Sequence, residues 1–271
     1  MSGSAKKGNL LDKVLSNPLV GLSPWIVYSL VEGEGRLELS AAVALGTGFL
    51  ILILNWYRGS SPKLLEFADV TYFGALAVLV ALASESTRDW LELWGGETAN
   101  IALLVIVLGS VVIRKPFTLQ YAKEDTPKEY WDTPGFLRAN YLISWVWVAA
   151  FAIEAASGLY GDAVLDNSNN IWTGWIIQTL PLIIAAQFTI WYPDRLEAAR
   201  NAADGDGEAS MPTVGDFLAT LTPWITVIGI IVLSMGGAPV AAGVALIVIG
   251  AVATRLLNKP DEQAPDRQPA G

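Results

Sequence analysis

The stretch LELSAAVALGTGFLILILNWYR, residues 37–58, decides the fold. After Glu38 it carries no charged side chain until Arg58. Leu37 to Tyr57, at about 1.5 Å of rise per residue, is about 30 Å long, the thickness of a bilayer's hydrocarbon layer. It ends in Trp56-Tyr57-Arg58. Aromatic rings followed by a cation are the order in which a span leaves hydrocarbon, crosses the headgroups and meets water.

Working outward, the same pattern recurs at Leu65–Ala83, Thr98–Ile113, Phe136–Leu159, Ile171–Tyr192, Phe217–Met235 and Val240–Leu256. A shorter stretch, Pro18–Val31, is interrupted by Pro24. The expected fold class is therefore all-α: a polytopic transmembrane helical bundle of about eight spans. Composition agrees, because 16% of residues are charged, 53% are hydrophobic and mean hydropathy is +0.44. A soluble domain carries about 25% charged residues.

The basic residues then orient the bundle. Of the 17 lysines and arginines, only Arg36 and Arg88 fall in the alternate loops. The others sit before the first stretch (Lys6, Lys7, Lys13) and after the second (Arg58, Lys63). They recur after the fourth (Arg114, Lys115, Lys123, Lys128, Arg138), the sixth (Arg195, Arg200) and the eighth (Arg255, Lys259, Arg267). Basic residues near spans are retained on the cytoplasmic side, so the expectation is a multi-pass plasma (cytoplasmic) membrane protein with both termini cytoplasmic. The net charge of -9 comes with acids in loops on both sides. Nucleic-acid binding needs a clustered basic face, so no nucleic-acid partner is expected. The N-terminal MSGSAKKGNLLDKVLSN has no apolar core or small-residue cleavage site, so a cleaved signal peptide is not expected.

There are no cysteines and no histidines. That removes disulfides, thiolate nucleophiles, iron–sulfur clusters and His-ligated haem or zinc together. No catalytic residues, cofactor or metal are expected, and the chain reads as non-catalytic.

The organisation reads as a six-span unit over 1–195, an acidic cytoplasmic linker over 196–216, a two-span hairpin over 217–256 and a polar, Pro-rich tail over 257–271 expected to be disordered. Ser84–Glu97 carries Trp90, Leu91, Leu93 and Trp94 and reads as a short helix lying in the interface. Lys115–Gly135 holds Phe117, Leu119, Tyr121, Tyr130 and Trp131 among charges, broken by Pro116, Pro127 and Pro134. It reads as an ordered, partly helical cytoplasmic surface.

Ionisable and polar groups inside spans are the candidates for chemistry. Glu154 is the one acid well inside an apolar run, about 24 Å along a helix from Arg138 and so toward the outer end of its span. Gln178, Thr179 and Gln187 share the next span with Pro181 and form a polar face. Together with Glu154 they are the candidate ligand path between spans 5 and 6; the plainer reading is a kinked helix with polar contacts. Arg138 and Asn140, joined by Arg114 and Lys115, are the candidate anionic site at the inner interface; the plainer reading is snorkelling to phosphates. Asp69, one turn into its span, reads as an ion-pair partner for Lys63 or Arg138. Most of the 11 tryptophans fall at span ends as an aromatic belt. Gly46 and Gly48, with Gly243 and Gly250, allow close helix approach and a homo-oligomer.

The order of features over residues 17–195 resembles the intracellular septation protein A (YciB-like) inner-membrane family. The resemblance rests on Asn17-Pro18-Leu19, Trp56-Tyr57-Arg58, Arg114-Lys115-Pro116-Phe117, Tyr130-Trp131, Arg138 with Asn140, and WVAAFAIEAASGLY at 147–160. Gly158 stands where the family has Asn, and residues 217–256 lie outside the match. The resemblance implies a helical bundle with a role in cell-envelope maintenance and septation through other membrane or division proteins. It implies no catalytic residues.

Two functions from different classes follow. One is a non-catalytic envelope or septation scaffold that engages partners through Lys115–Gly135. The other is a small-molecule or ion transporter with its path along Glu154, Gln178, Thr179 and Gln187. A lipid-acting intramembrane enzyme built on Lys63, Glu66, Asp69 and Arg138 is a third, weaker reading.

Overall fold

The computed structural model describes residues 10–167, 170–204, 211–235 and 238–257, and every regular element among them is helical. The chain forms two compact units, one ending at Leu159 and one beginning at Tyr160.

The first unit opens with three short helices, α1 (Leu10–Leu15), α2 (Pro18–Gly21) and α3 (Ser23–Val31). Long helices α4 (Leu37–Tyr57), α5 (Leu64–Leu82) and α6 (Glu85–Val112) follow, then α7 (Phe117–Asp125), a 3-10 turn at Lys128–Tyr130, and α8 (Pro134–Ala163). In the second unit a π-helical turn, Ile171–Ile176, leads into α9 (Ile177–Asp204), α10 (Val214–Met235) and α11 (Val240–Leu257). Among the described residues seven helical segments, α4, α5, α6, α8, α9 with its π turn, α10 and α11, are long and apolar enough to cross a membrane. This is the make-up of a multi-pass membrane protein.

The first of the eight expected stretches is divided. Asn17 caps α2 by accepting the Leu19 N–H at 2.9 Å, with Pro18 just inside the helix, and Pro24 opens α3. The nine residues of α3 reach only about 14 Å, too short to cross alone. Together with α1, the divided stretch lies along α4. Asp12 in α1 holds Arg58, just past the C-terminus of α4, at 2.8 Å. Five residues, 32–36, separate α3 from α4.

The interfacial helix expected over Ser84–Glu97 is not separate. Ser84 caps α6, accepting the Thr87 N–H, and the helix continues unbroken for 28 residues. No proline interrupts the run, and Gly95 and Gly96 serve as contact points. A Cβ on Gly95 would lie 2.7 Å from the Tyr28 hydroxyl, and one on Gly96 would lie 2.8 Å from the Glu32 carboxyl. Leu91 is buried, while Trp90 and Leu93 stay exposed.

Lys115–Gly135 is ordered and partly helical, as expected, but its apolar residues divide between core and surface. Phe117, Thr118 and Tyr121 are buried. The Phe117 N–H donates to Ser110 Oγ at 3.1 Å, and Thr118 Oγ1 donates to the Asn140 carbonyl at 3.0 Å, tying α7 to α6 and α8. Tyr130 remains exposed.

In the second unit α10 and α11 pack as an antiparallel pair. Gly229 lies against Gly243, Gly250 against Thr226, and Thr254 donates to Thr222 at 2.9 Å. Positions ascending on α10 thus meet positions descending on α11. Pro181 and Pro193 lie inside α9, which runs on to Asp204. The first part of the expected linker is therefore helical, because the Ala-rich stretch after Asp194 has good helix propensity. Residues 205–210, the tip of the hairpin at 236–237, the N-terminal lysines Lys6 and Lys7, and the tail from 258 lie outside the described residues.

Candidate functional site: two buried polar clusters

Five charged side chains are buried among the described residues: Lys63, Glu66, Asp69, Glu97 and Glu154, all in the first unit. They form two clusters, one at its Lys/Arg-rich end and one toward its other end.

The basic-end cluster begins with a helix start. Lys63 caps α5, and Glu66 accepts the Lys63 backbone N–H at 3.3 Å. A second donor at the same end, the Leu64 N–H, goes to Gln120 Oε1 of α7 at 2.6 Å. The Lys63 ammonium, 2% exposed, reaches Glu124 Oε1 at 2.9 Å and Glu66 Oε1 at 3.5 Å, and lies 5.0 Å over the Tyr121 ring. Asn55, late in α4, donates to Glu66 Oε1 at 2.5 Å and accepts from Arg58 Nη1 at 2.8 Å. Arg58 also pairs with Asp12 and with Glu124, at 2.8 and 3.3 Å. Burial first, then the nearby Glu66, Asp69 and Glu124, pushes the Tyr121 phenol well above its ordinary range. It therefore stays a protonated donor at neutral pH. Beside this network lies a cleft of about 350 Å³ whose walls include Ser60, Lys63, Gln120, Lys123, Glu124 and Trp131.

Asp69 sits one turn deeper on α5, fully buried. Its Oδ1 accepts from the Trp25 indole at 2.6 Å, and its Oδ2 has no hydrogen-bond partner. The expected ion pair with Lys63 or Arg138 does not form; Lys63 is held by Glu66 and Glu124 instead. Trp25, the donor to Asp69, packs on Tyr72 and Phe73 with ring centroids 4.9 Å apart in each case.

The second cluster joins α3, α6 and α8. Glu154 is 8% exposed, and its Oε2 has no hydrogen-bond partner. Glu97 and Glu32 are the charged groups acting on it, both acidic. Glu97 comes from α6, and its carboxyl rests on Gly158, one turn beyond Glu154 on the same face of α8. A side chain at Gly158 would collide with it. The absence of a side chain at Gly158 is thus what admits Glu97. Between the clusters, Tyr72 on α5 and Thr98 on α6 share a hydroxyl–hydroxyl hydrogen bond of 3.2 Å.

The remaining sequence candidates fall elsewhere. Gln178, Thr179 and Gln187 are half-buried on α9 in the second unit, whereas Glu154 belongs to the first. Arg114, Lys115 and Arg138 are exposed, while Asn140 is buried with its amide donating to the Phe136 carbonyl at 2.9 Å on its own helix. The sequence reading places Glu97 at the end of an interfacial helix and gives Asn55 no role. The signals were there: Asn55 is a lone amide late in an apolar run, and Lys63-x-x-Glu66 has the spacing of a capped helix start.

Among the described residues no group of acids is arranged to hold a metal ion. Comparison with protein-family models, with curated proteins and with solved structures gives no match.

Proposed function

We propose that this chain is a cation-translocating membrane protein whose path runs through the first unit. The observation that carries the reading is the pair of carboxyls, Asp69 and Glu154, each buried in a helical bundle with one oxygen unpartnered and no ion pair among the described residues. A bare carboxylate in such surroundings is costly, so each group holds either a proton or a passing cation. Intramembrane acids at this cost mark ion and proton pathways. Their placement toward opposite ends of one bundle suits a route across it. The distribution of lysines and arginines supports eight crossings with both termini cytoplasmic in the plasma membrane, the first crossing made by α2 and α3 together.

The test is flux. The full chain in sealed liposomes is given an inward gradient of protons, sodium or potassium, and uptake is followed. Uptake of one of these ions, reduced at least tenfold in Glu154→Gln and Asp69→Asn, is the expected result. No cation uptake by the wild-type protein removes the reading.

A second reading, an envelope or septation-related scaffold, is supported by the surface around Trp131. Its indole is pinned to the Thr126 carbonyl at 2.8 Å, Lys123 and Lys128 lie 4.9 and 5.9 Å over its ring, and Tyr130 is exposed beside it. Phe117 and Tyr121 are core residues, so the surface is tested by Tyr130→Ala with Lys128→Ala rather than by deletion. Loss of co-purifying membrane proteins in that variant supports the scaffold; an unchanged set removes it.

A further inference from the structure

We infer that the translocated ion is a proton, and that it passes between the two carboxyls through the hydroxyl pair Tyr72–Thr98. The inference rests on the cation-translocation reading above and adds the ion's identity and its route.

Three observations place the link. Tyr72 lies three residues beyond Asp69 on α5, on the same face of the helix. Thr98 follows Glu97 directly on α6. The two hydroxyls meet at 3.2 Å, while Thr98 Oγ1 also donates to the Gly95 carbonyl at 2.8 Å. The series Asp69, Tyr72, Thr98, Glu97, Glu154 therefore steps from α5 to α6 to α8. Each member can both accept and release a proton or hydroxyl hydrogen.

The surroundings favour a proton over a metal cation. The link is made of hydroxyls, whose rotating O–H groups relay hydrogen-bonded protons. Asp69 is fully buried and its hydrogen-bond partner is the Trp25 indole N–H, a donor that offers no lone pair to a metal cation. The titratable and charged groups facing the route are Glu32, Glu97, Tyr28 and Tyr72 toward Glu154, and Glu66, Lys63 and Tyr121 toward Asp69.

The step balances without any co-reactant. A proton arriving at Glu154 passes to Glu97. The Thr98 hydroxyl turns from the Gly95 carbonyl toward Tyr72, takes the proton on a lone pair and gives its own hydrogen to Tyr72. Tyr72 in turn gives its hydrogen to Asp69. Water bridges the intervals longer than a hydrogen bond. Asp69 releases the proton toward Glu66, Glu124 and the cleft beside Lys63.

The experiment uses the full chain in phosphatidylethanolamine–phosphatidylglycerol vesicles with a trapped pH-sensitive dye, under a valinomycin–potassium clamp, with sodium uptake measured in parallel. Tyr72→Phe keeps the ring and removes the hydroxyl. It is expected to slow proton entry at least tenfold, as Glu154→Gln does, with unchanged thermal unfolding. Proton entry lost in Glu154→Gln but retained in Tyr72→Phe overturns the relay and leaves cation translocation standing. Sodium uptake without proton entry, abolished in Glu154→Gln, overturns the proton assignment alone. If Tyr72→Phe does not fold, Thr98→Val removes the partner hydroxyl and carries the same two outcomes.

Discussion

The two units differ in what their helices bury. In the apolar windows of α4, α5, α6 and α8, between 33% and 50% of residues are buried, against 11% to 22% in α9, α10 and α11. The difference is chemical as well as geometric. Among the described residues, all the buried charged ones belong to the first unit, whereas the second buries only Thr173 and Thr222 among polar side chains. Helices of similar apolarity thus serve opposite ends. In the first unit they enclose polar groups that lipid would not tolerate; in the second they present apolar surface, including Val240, Val248 and Leu256, to whatever surrounds them. Mean hydropathy cannot separate these roles, because both kinds of helix must be apolar to lie in a bilayer.

The comparison is tested hardest at Lys63. Lys63→Met removes the ammonium from Glu66 and Glu124 and leaves Glu66, 1% exposed, without its cation. Breaking a buried pair from one side costs about 3–5 kcal/mol, because the remaining charge is uncompensated. The unfolding midpoint in detergent is expected to fall accordingly, and adding Glu66→Gln is expected to restore most of the loss. A change below about 1 kcal/mol in Lys63→Met alone would mean that the polar core of the first unit is not structural, and the contrast between the units would lose its physical basis.

How much of this was legible follows from the same contrast. Hydropathy located the long helices, because an apolar run of the right length has few alternatives to a helix in a bilayer. It sets Ser84–Glu97 apart as an interfacial helix, since the charges Glu85, Arg88, Asp89 and Glu92 divide that segment from the apolar run that follows. On α6 they decorate the first turns of a helix that enters the apolar region only after Glu97. The burial of Glu154 was half legible: an acid in an apolar run was visible, but the Glu97 carboxyl beside it lies 57 positions earlier in the chain. No spacing rule relates residues on α6 to residues on α8. The pairing of Asp69 with Trp25 rather than a cation was hidden for the same reason, because α3 and α5 meet only through tertiary packing.

A middle-sized effect contrasts a glycine from each unit. In the first, a Cβ at Gly158 would meet the carboxyl end of Glu97; in the second, a Cβ at Gly250 would meet the Thr226 backbone nitrogen at 2.6 Å. A side-chain end can swing away, while a helix backbone must be pushed as a body. Gly250→Ala is therefore expected to cost about 1–3 kcal/mol by overpacking, read as a lowered unfolding midpoint. Gly158→Ala is expected to cost less in stability and more in function, because Glu97 must leave the place it holds beside Glu154. The pattern reverses if stability falls more in Gly158→Ala than in Gly250→Ala, and Glu97 would then be a packing residue.

The smallest effect is expected where the second unit has its one described hydroxyl link between α10 and α11, Thr254 to Thr222 at 2.9 Å. Thr254 also donates to the Gly250 carbonyl of its own helix at 2.8 Å, so its hydroxyl has a local partner whether or not α10 is near. Side-chain hydrogen bonds between membrane helices average about 0.6 kcal/mol, since the separated helices find other partners. Thr254→Val keeps the shape and deletes the hydroxyl, and its expected cost is of that order, about a tenth to a fifth of the cost at Lys63. A loss above about 2 kcal/mol would exceed what such a bond supplies even at its strongest. The hairpin would then depend on polar contact as the first unit does, and the division of labour between an enclosed polar core and an apolar-surfaced hairpin would have to be redrawn.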